Sequence, residues 1–355
     1  MIQCEPACRE RRTKLDSVDQ DIHEVLSRNG YSIKNSLGRG GQGRVYRVYD
    51  GRQHTDLALK ILVGQDGGAR TRMAQEFSFL KTNNHPNLLN VFEFREAERN
   101  GVPYLWFTME LCRGSLSSEL PPEEVDRAFE NEDESTRTNL REIVALRRSQ
   151  RRSVGRLHVA DLRQRLVWVM ECLDALAFIH QQGISHRDIK PANLLISTDG
   201  RLKLGDFGTA KLAWSNLRSS RSERTYLMGT PVYIAPELWR AAQEGDMAEQ
   251  DLMRSDQYAF AITLVELLQR GKQLSKLEFL PSPPQTPAEF VLYHQVHSSG
   301  IYEDIRIPER DGTPESSNEV IKKLLSPNPY HRYDSLGRCL IDLVASFLKD
   351  NLLRA

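Results

Sequence analysis

Two short runs of residues and three isolated charges have the types and spacing to handle phosphate. Gly38-Arg39-Gly40-Gly41-Gln42-Gly43-Arg44-Val45 follows the spacing G-x-G-x-x-G-x-V. Glycines at those places let backbone amides approach a polyphosphate with no Cβ in the way. A plain structural turn fits the glycines equally well, so the flanking residues must discriminate. A dinucleotide fold needs a helix directly after the glycines, whereas residues 44–49 read as strand. A Walker-type phosphate loop needs lysine after its last glycine, and Arg44 stands there. What survives is strand, glycine turn, strand, lying over a nucleotide. Lys60 ends the apolar run Leu57-Ala58-Leu59. A strand-end lysine is ordinarily solvated and gains a phosphate role only with a carboxylate partner. Glu76 is the only glutamate between Lys60 and Glu93, and an internal pair would aim the ammonium at a nucleotide's phosphates. Further on, His186-Arg187-Asp188-Ile189-Lys190-Pro191-Ala192-Asn193 gathers acid, base and amide in one stretch, and Asp206-Phe207-Gly208 begins thirteen residues past Asn193.

The elements that must hold these residues can be read from periodicity. Tyr31 and Ile33 alternate with polar neighbours, Val45 to Tyr49 is β-branched and aromatic, Asp50-Gly51 is a turn signal, and Leu57 to Leu62 is a second run. Leu88 to Phe94 and Tyr104 to Met109 are also strand-like. Residues 69–81 lack Gly and Pro and carry Met73, Phe77 and Leu80 at helical spacing, which puts Glu76 on a helix. The first third therefore predicts several strands with one helix inserted. Residues 162–180 form an amphipathic helix through Leu166, Val169, Met170, Leu173, Leu176 and Ala177, and helices follow near 255–269, 317–325 and 336–353. Residues 1–30 are polar and charged; despite a helix-compatible stretch from Ser17 to Leu26, stopped by Asn29-Gly30, they read as an extension outside the main fold. Between Glu119 and Glu134 lie eight acidic residues and one basic; between Arg137 and Arg156 lie seven arginines and one acid. This opposed-charge stretch, 121–156, reads as an inserted, at most partly helical surface segment: a solvated loop whose acidic and basic halves could pair with each other or recruit a partner.

Composition removes several functions. The 355 residues are 39% hydrophobic and 27% charged, with 48 Lys plus Arg against 48 Asp plus Glu. Zero formal charge argues against a nucleic-acid binder that relies on a global positive field. No run approaches the roughly 18 apolar residues of a membrane span. The first residues carry charge where a signal peptide needs an apolar core. Five scattered cysteines (4, 8, 112, 172 and 339) do not make a disulfide framework. A soluble, cytoplasmic chain is expected.

Together with Gly229-Thr230-Pro231-Val232-Tyr233-Ile234-Ala235-Pro236-Glu237, these runs resemble the signatures of the eukaryotic-type (Hanks-type) serine/threonine protein kinase catalytic domain. The resemblance covers residues 31–348. It implies an α+β, two-lobed fold: a small antiparallel β lobe with one key helix (31–109), a hinge (110–114), a mainly helical large lobe (115–348) and a short tail (349–355). It implies ATP and Mg2+ as cofactors, with Mn2+ as a substitute, and protein Ser/Thr hydroxyls as acceptors. Gly38, Arg39, Gly40, Gly41, Gln42 and Gly43 would cover the phosphates. Lys60, held by Glu76, would bind them; Asn193 and Asp206 would hold the metal. Asp188 would orient the acceptor hydroxyl, Lys190 would neutralise the moving phosphoryl, and Thr230 would bond both. Val45, Ala58 and Leu195 would enclose adenine, with Met109 as gatekeeper and Glu110 to Cys112 meeting it through the backbone. Leu80, Val91, His186 and Phe207 match the regulatory spine. Asp256 would tether the catalytic loop, and Glu237 would pair with Arg332.

Lys190 and Thr230-Pro231-x-Tyr233 point to the Ser/Thr branch, and β-branched Thr209 to threonine acceptors. Arg187 implies regulation by phosphate on the activation segment, at Thr225. The competing readings are a scaffold of the same fold without transfer, which should have lost Lys60, Asp188, Asn193 or Asp206, and a small-molecule phosphotransferase, which should lack the peptide-docking segment around Thr230. Substitution of Lys60 or Asp206 is expected to remove activity at little cost in stability, because each removes a charge contact rather than core volume.

Overall fold

The computed structural model describes residues 18–40, 43–119, 162–209, 211–212, 231–244, 249–268, 297 and 315–353. Residues 121–156, Gly41, Gln42, Thr225 and Thr230 therefore lie outside the described residues. Chain contacts separate two compact units. One comprises Met1–Arg113 with Ser197–Gly200 and Asp206–Gly208; the other comprises Gly114–Ile196, Arg201–Gly205 and Thr209–Ala355.

The first unit is built on an antiparallel sheet of order β1-β2-β3-β5-β4, with β1 Tyr31–Gly40, β2 Gly43–Asp50, β3 Thr55–Val63, β4 Val91–Arg99 and β5 Val102–Met109. Residues 18–28 form a helix, α1, and α2 runs Gly67–Thr82. Strand alternation assigns the faces. Leu57, Leu59 and Ile61 of β3, Tyr46 and Val48 of β2, and Tyr104 and Trp106 of β5 join one apolar cluster with Ile22, Val25 and Leu26 of α1. Ala58 and Lys60 are the alternate residues of β3, and Lys60 meets α2 through Glu76. Asp66 starts α2 by accepting from the Ala69 amide at 3.1 Å, an N-cap that stabilises a helix by about 1 kcal/mol.

The extension is thus corrected in part. Val18, Ile22, Val25 and Leu26 fall at i, i+4, i+7 and i+8, a complete apolar stripe, and Ile22 and Leu26 are 0% exposed. The helix ends where expected: the Gly30 amide bonds to Ser27 O and the residue turns left-handed at φ 86°. The polar residues that made this segment look detached are in use. Asp21 and Glu24 both bind Arg99 of β4, at 2.7 and 2.5 Å.

The second unit carries β6 Gly114–Ser115, the short α3 Leu116–Glu119, α4 Leu162–Gln181, β7 Ile184–Ser185, β8 Leu194–Ile196, β9 Leu202–Leu204, β10 Lys211–Leu212, α5 Pro236–Glu244, α6 Glu249–Leu268, α7 Ser317–Leu324 and α8 Leu336–Leu353. Two small antiparallel sheets, β6-β8-β9 and β7-β10, sit among these helices. The long helices match their periodicity, except that α6 starts six residues earlier than expected. The buried stripe of α4 is also rotated. Trp168, Val169, Cys172, Leu173, Leu176 and Ile179 are buried, Met170 is exposed, and buried Arg165 donates to the carbonyls of Leu267 and Leu268 at 3.1 and 3.2 Å. Those carbonyls close α6, whose last turn lacks intrahelical partners.

Because Ile22 fills the space between α1 and the sheet, Ile22→Ala should lower unfolding free energy by about 3 kcal/mol. Denaturant titration would read the loss; an unchanged midpoint would mean that α1 contributes nothing to the unit.

Candidate active site

In the first unit the site starts from one buried cation. Lys60 is on β3, in register with Val45 of β2 and Phe107 of β5. Its ammonium lies 3.0 and 2.8 Å from the two carboxylate oxygens of Glu76 and 3.0 Å from Asp206 Oδ1. Lys60 and Glu76 are buried, whereas the Asp206 side chain remains one third exposed. Burial works against the lysine's charge, but Glu76 and Asp206 outweigh it and hold the ammonium above its ordinary range. Burial pushes the Glu76 carboxyl up; Lys60 opposes this and the nearby Asp206 reinforces it. Glu76 also accepts from the Phe207 amide, and the ring of Phe207 packs tilted against that of Phe79 of α2, 4.7 Å between centroids. Asp206 has φ 60°, a left-handed conformation unusual for a non-glycine residue, and Lys60 and α2 hold this turn in place.

Beside Lys60, Gly38, Arg39 and Gly40 end β1, and Gly43 opens β2 with Gly40 opposite it. Gly43 has φ 130°, and a Cβ there would stand 2.6 Å from the Ile61 carbonyl oxygen, so no other residue fits. Ala58 is in register with Met109, and both are buried. Glu110 is tied to the loop before β4, its amide donating to Asn90 O at 3.0 Å and its carboxylate accepting from the Asn90 amide at 2.8 Å. Cys112 is half-buried. Leu80, Val91 and Phe207 are buried in this unit.

The second unit holds the other group. Asp256, on α6, is 1% exposed. It accepts from the amides of His186 and Arg187, each at 2.8 Å, and contacts His180 Nε2 at 2.9 Å. Burial raises its carboxyl, but these bonds and the nearby histidines hold it below the usual range. Arg187 is left-handed at φ 68°, a strained conformation that Asp256 fixes from behind. The His186 ring bonds Gly205 O at 3.0 Å. Asp188 then presents its carboxylate to two partners: Oδ2 accepts from Lys190 Nζ at 2.7 Å and from Asn193 Nδ2 at 3.0 Å, while Asn193 also donates to the Asp188 carbonyl at 2.7 Å. Leu195 is the half-buried residue of β8, between Leu194 and Ile196 at 0% exposure. Glu237 and Arg332 form a buried two-bond pair at 2.6 and 2.8 Å.

The structure thus gathers Lys60, Glu76 and Asp206 in one unit and Asp188, Lys190 and Asn193 in the other. Two polar residues were missed by sequence reading. His180 shares Asp256 with the His186 and Arg187 amides, although a histidine ending an amphipathic helix carries no local signal of such a role. Glu266, deep in α6, accepts from the Tyr233 hydroxyl at 2.9 Å; only its charge inside an apolar run marked it out.

Residues 31–340 match the family described as Protein kinase domain. The chain belongs to that family. It is similar to "Serine/threonine-protein kinase PknB" of Mycobacterium leprae (strain TN), 28% identical over 317 residues, covering 88% of this chain and 42% of that protein. The PknB of Mycobacterium tuberculosis (strain ATCC 25618 / H37Rv) is similar to the same extent. "Probable serine/threonine-protein kinase SCO3848" of Streptomyces coelicolor is 26% identical over 318 residues, covering 89% of this chain and 39% of that protein. The chain therefore spans about two fifths of the length of these relatives. Among the described residues no helix is long and apolar enough to cross a membrane.

The burial of Lys60 and Glu76 overturns the expectation that removing the lysine is cheap. Lys60→Ala strands a buried carboxylate and should cost about 3 kcal/mol of unfolding free energy near neutral pH. Since the folded-state carboxyl of Glu76 is raised, its contribution is fully present in acid and falls as pH rises through the folded value. The variant's deficit should therefore be smaller at about pH 5 than at about pH 8. Equal deficits at both, measured by denaturant titration against wild type, would contradict a charged, buried Glu76.

Proposed function

We propose that this chain is an ATP-dependent protein kinase that moves the γ-phosphoryl group of Mg-ATP to serine or threonine hydroxyls of protein substrates. The observation that carries this reading is the Lys60–Glu76–Asp206 contact: a buried ammonium oriented by one carboxylate and touching a second, more exposed one.

Phosphoryl transfer asks a protein for positioning and charge stabilisation more than for covalent chemistry. Lys60, fixed by Glu76, would bind the α- and β-phosphate oxygens. Gly38, Gly40 and Gly43 would bring backbone amides over the phosphates, with Arg39, Gly41 and Gln42 completing the turn. Val45, Ala58 and Leu195 would enclose the adenine, Met109 would limit its depth, and Glu110 to Cys112 would meet its edge through backbone groups. Mg2+, which Mn2+ could replace, would neutralise phosphate charge. Asp206 is suited to hold it as a partly exposed carboxylate, and Asn193 through its amide oxygen, since the amide nitrogen is occupied by Asp188. A site with so few protein ligands fits Mg2+, which completes its shell with phosphates and water. Asp188 would accept the hydrogen bond of the substrate hydroxyl and set it in line. Lys190, 2.7 Å from that carboxylate, would stabilise charge on the phosphoryl group as it moves. Thr230 would bond this pair, and Lys190 with Thr230 favours Ser/Thr acceptors. The 121–156 segment is proposed as a partner site.

Incubation of the full chain with Mg-ATP and a generic basic protein, followed by phosphoamino-acid analysis, tests the reading. Asp188→Asn preserves shape but removes the acceptor charge and should lower kcat by about 10²–10⁴-fold with little change in KM for ATP. Wild-type turnover in that variant would remove Asp188 from the chemistry.

Regulation forms part of the same proposal. Arg187, directly before Asp188, would meet a phosphate on Thr225, among Arg218, Arg221 and Arg224. Phosphatase treatment, or Thr225→Ala, should then lower activity, with mass spectrometry confirming the modified residue. Full activity after either treatment would show that no such switch operates.

A further inference from the structure

Strand alternation makes β2 a two-sided lever. Tyr46 and Val48 face α1 in the apolar cluster, and Arg44, two residues earlier, faces the same way. Asp19 of α1 accepts from the Arg44 guanidinium and, at 3.2 Å, from the Tyr46 hydroxyl. Only 13% of the Arg44 side chain is exposed. The residue between them, Val45, takes the opposite face and lies in register with Lys60. The residue before Arg44 is Gly43, packed so closely on the Ile61 carbonyl that no Cβ fits. Successive residues of a strand point to opposite faces of its sheet. Holding Arg44 and Tyr46 from the outer face therefore fixes the direction of Val45 on the inner one. Meanwhile Asp21 and Glu24 hold Arg99 of β4, so α1 is pinned at two separate strands. This helix precedes the residues that match the family, which begin at 31.

We propose that Asp19 is a positioning residue for nucleotide binding: through Arg44 and Tyr46 it sets the start of β2, where Gly43 and Val45 would meet ATP. This rests on the ATP-binding reading above. It makes residues 18–28 part of the nucleotide-binding unit in function as well as in packing.

The test compares full-length wild type with Asp19→Asn, Asp19→Glu and Asp21→Asn. It measures KM for ATP and kcat, Kd for a fluorescent ATP analogue, and the thermal midpoint. Asp19→Asn should raise both KM and Kd on the order of fivefold, leaving kcat and the midpoint nearly unchanged. Asp19→Glu keeps the charge and should restore most of the affinity. Asp21→Asn weakens only the grip on Arg99 and should bind nucleotide as wild type does. Equal affinity in wild type and Asp19→Asn would overturn the proposal. So would an equal loss in Asp21→Asn, which would reduce the effect to helix docking. A wild type that binds the analogue but transfers no phosphate would sink the catalytic reading alone, since Kd still decides the role of Asp19. A wild type that binds no nucleotide would overturn both.

Discussion

A full positive charge cannot be buried without compensation, and the first unit is organised around one. Desolvating an ammonium and a carboxylate costs several kcal/mol per ion, recovered only when geometry is good and the remaining lone pairs are satisfied. Lys60 and Glu76 meet that condition through two contacts of 3.0 and 2.8 Å. The consequence reaches beyond the pair. Glu76 can arrive only if α2 lies on the inner face of the sheet, and it does so with Met73 and Leu80 buried beside it. The left-handed turn at Asp206 is then held by Lys60 on one side and by the Phe79–Phe207 contact on the other. The residues that would handle phosphate are thus also residues that pack and compensate charge inside the unit.

The second unit solves a related problem with the sign reversed. Asp256 is a buried carboxylate compensated by two backbone amides and a histidine. Buried amides need partners, so Asp256 satisfies the loop and the loop satisfies Asp256. That closed arrangement lets Arg187 keep a left-handed backbone and leaves Asp188 directed at Lys190 and Asn193. Glu237–Arg332 repeats the principle, joining the start of α5 to the turn at Pro329–His331 that precedes α8.

Much of this was legible in the linear chain because it is local. The glycine spacing, the His186–Asn193 run and Asp206-Phe207-Gly208 are each defined by residue types a few positions apart in the chain. Long periodic helices such as Leu336–Leu353 matched their pattern because one apolar stripe suffices to define them. Less legible were features whose reason lies elsewhere in the molecule. Met170 has the spacing of a core residue on α4, yet the buried stripe turns toward Arg165, whose partners are the last carbonyls of a helix about a hundred residues away. Residues 18–28 were set apart by their charges, although each of Asp19, Asp21 and Glu24 has a basic partner on a strand.

By itself the sequence determined which groups could do chemistry, since residue type and short-range spacing carry that information: a lysine after an apolar run, a carboxylate in a loop with lysine and asparagine two and five residues on, glycines at the spacing G-x-G-x-x-G. Only the tertiary structure decided how those groups are charged and supported. Burial raises the Glu76 carboxyl and makes Lys60 its charge partner, Asp256 holds a loop seventy residues away in the chain, and α1 reaches the glycine end of β2 through Asp19. The physical reason is that desolvation and charge compensation depend on distance in space, which a chain of residues does not contain until it has folded.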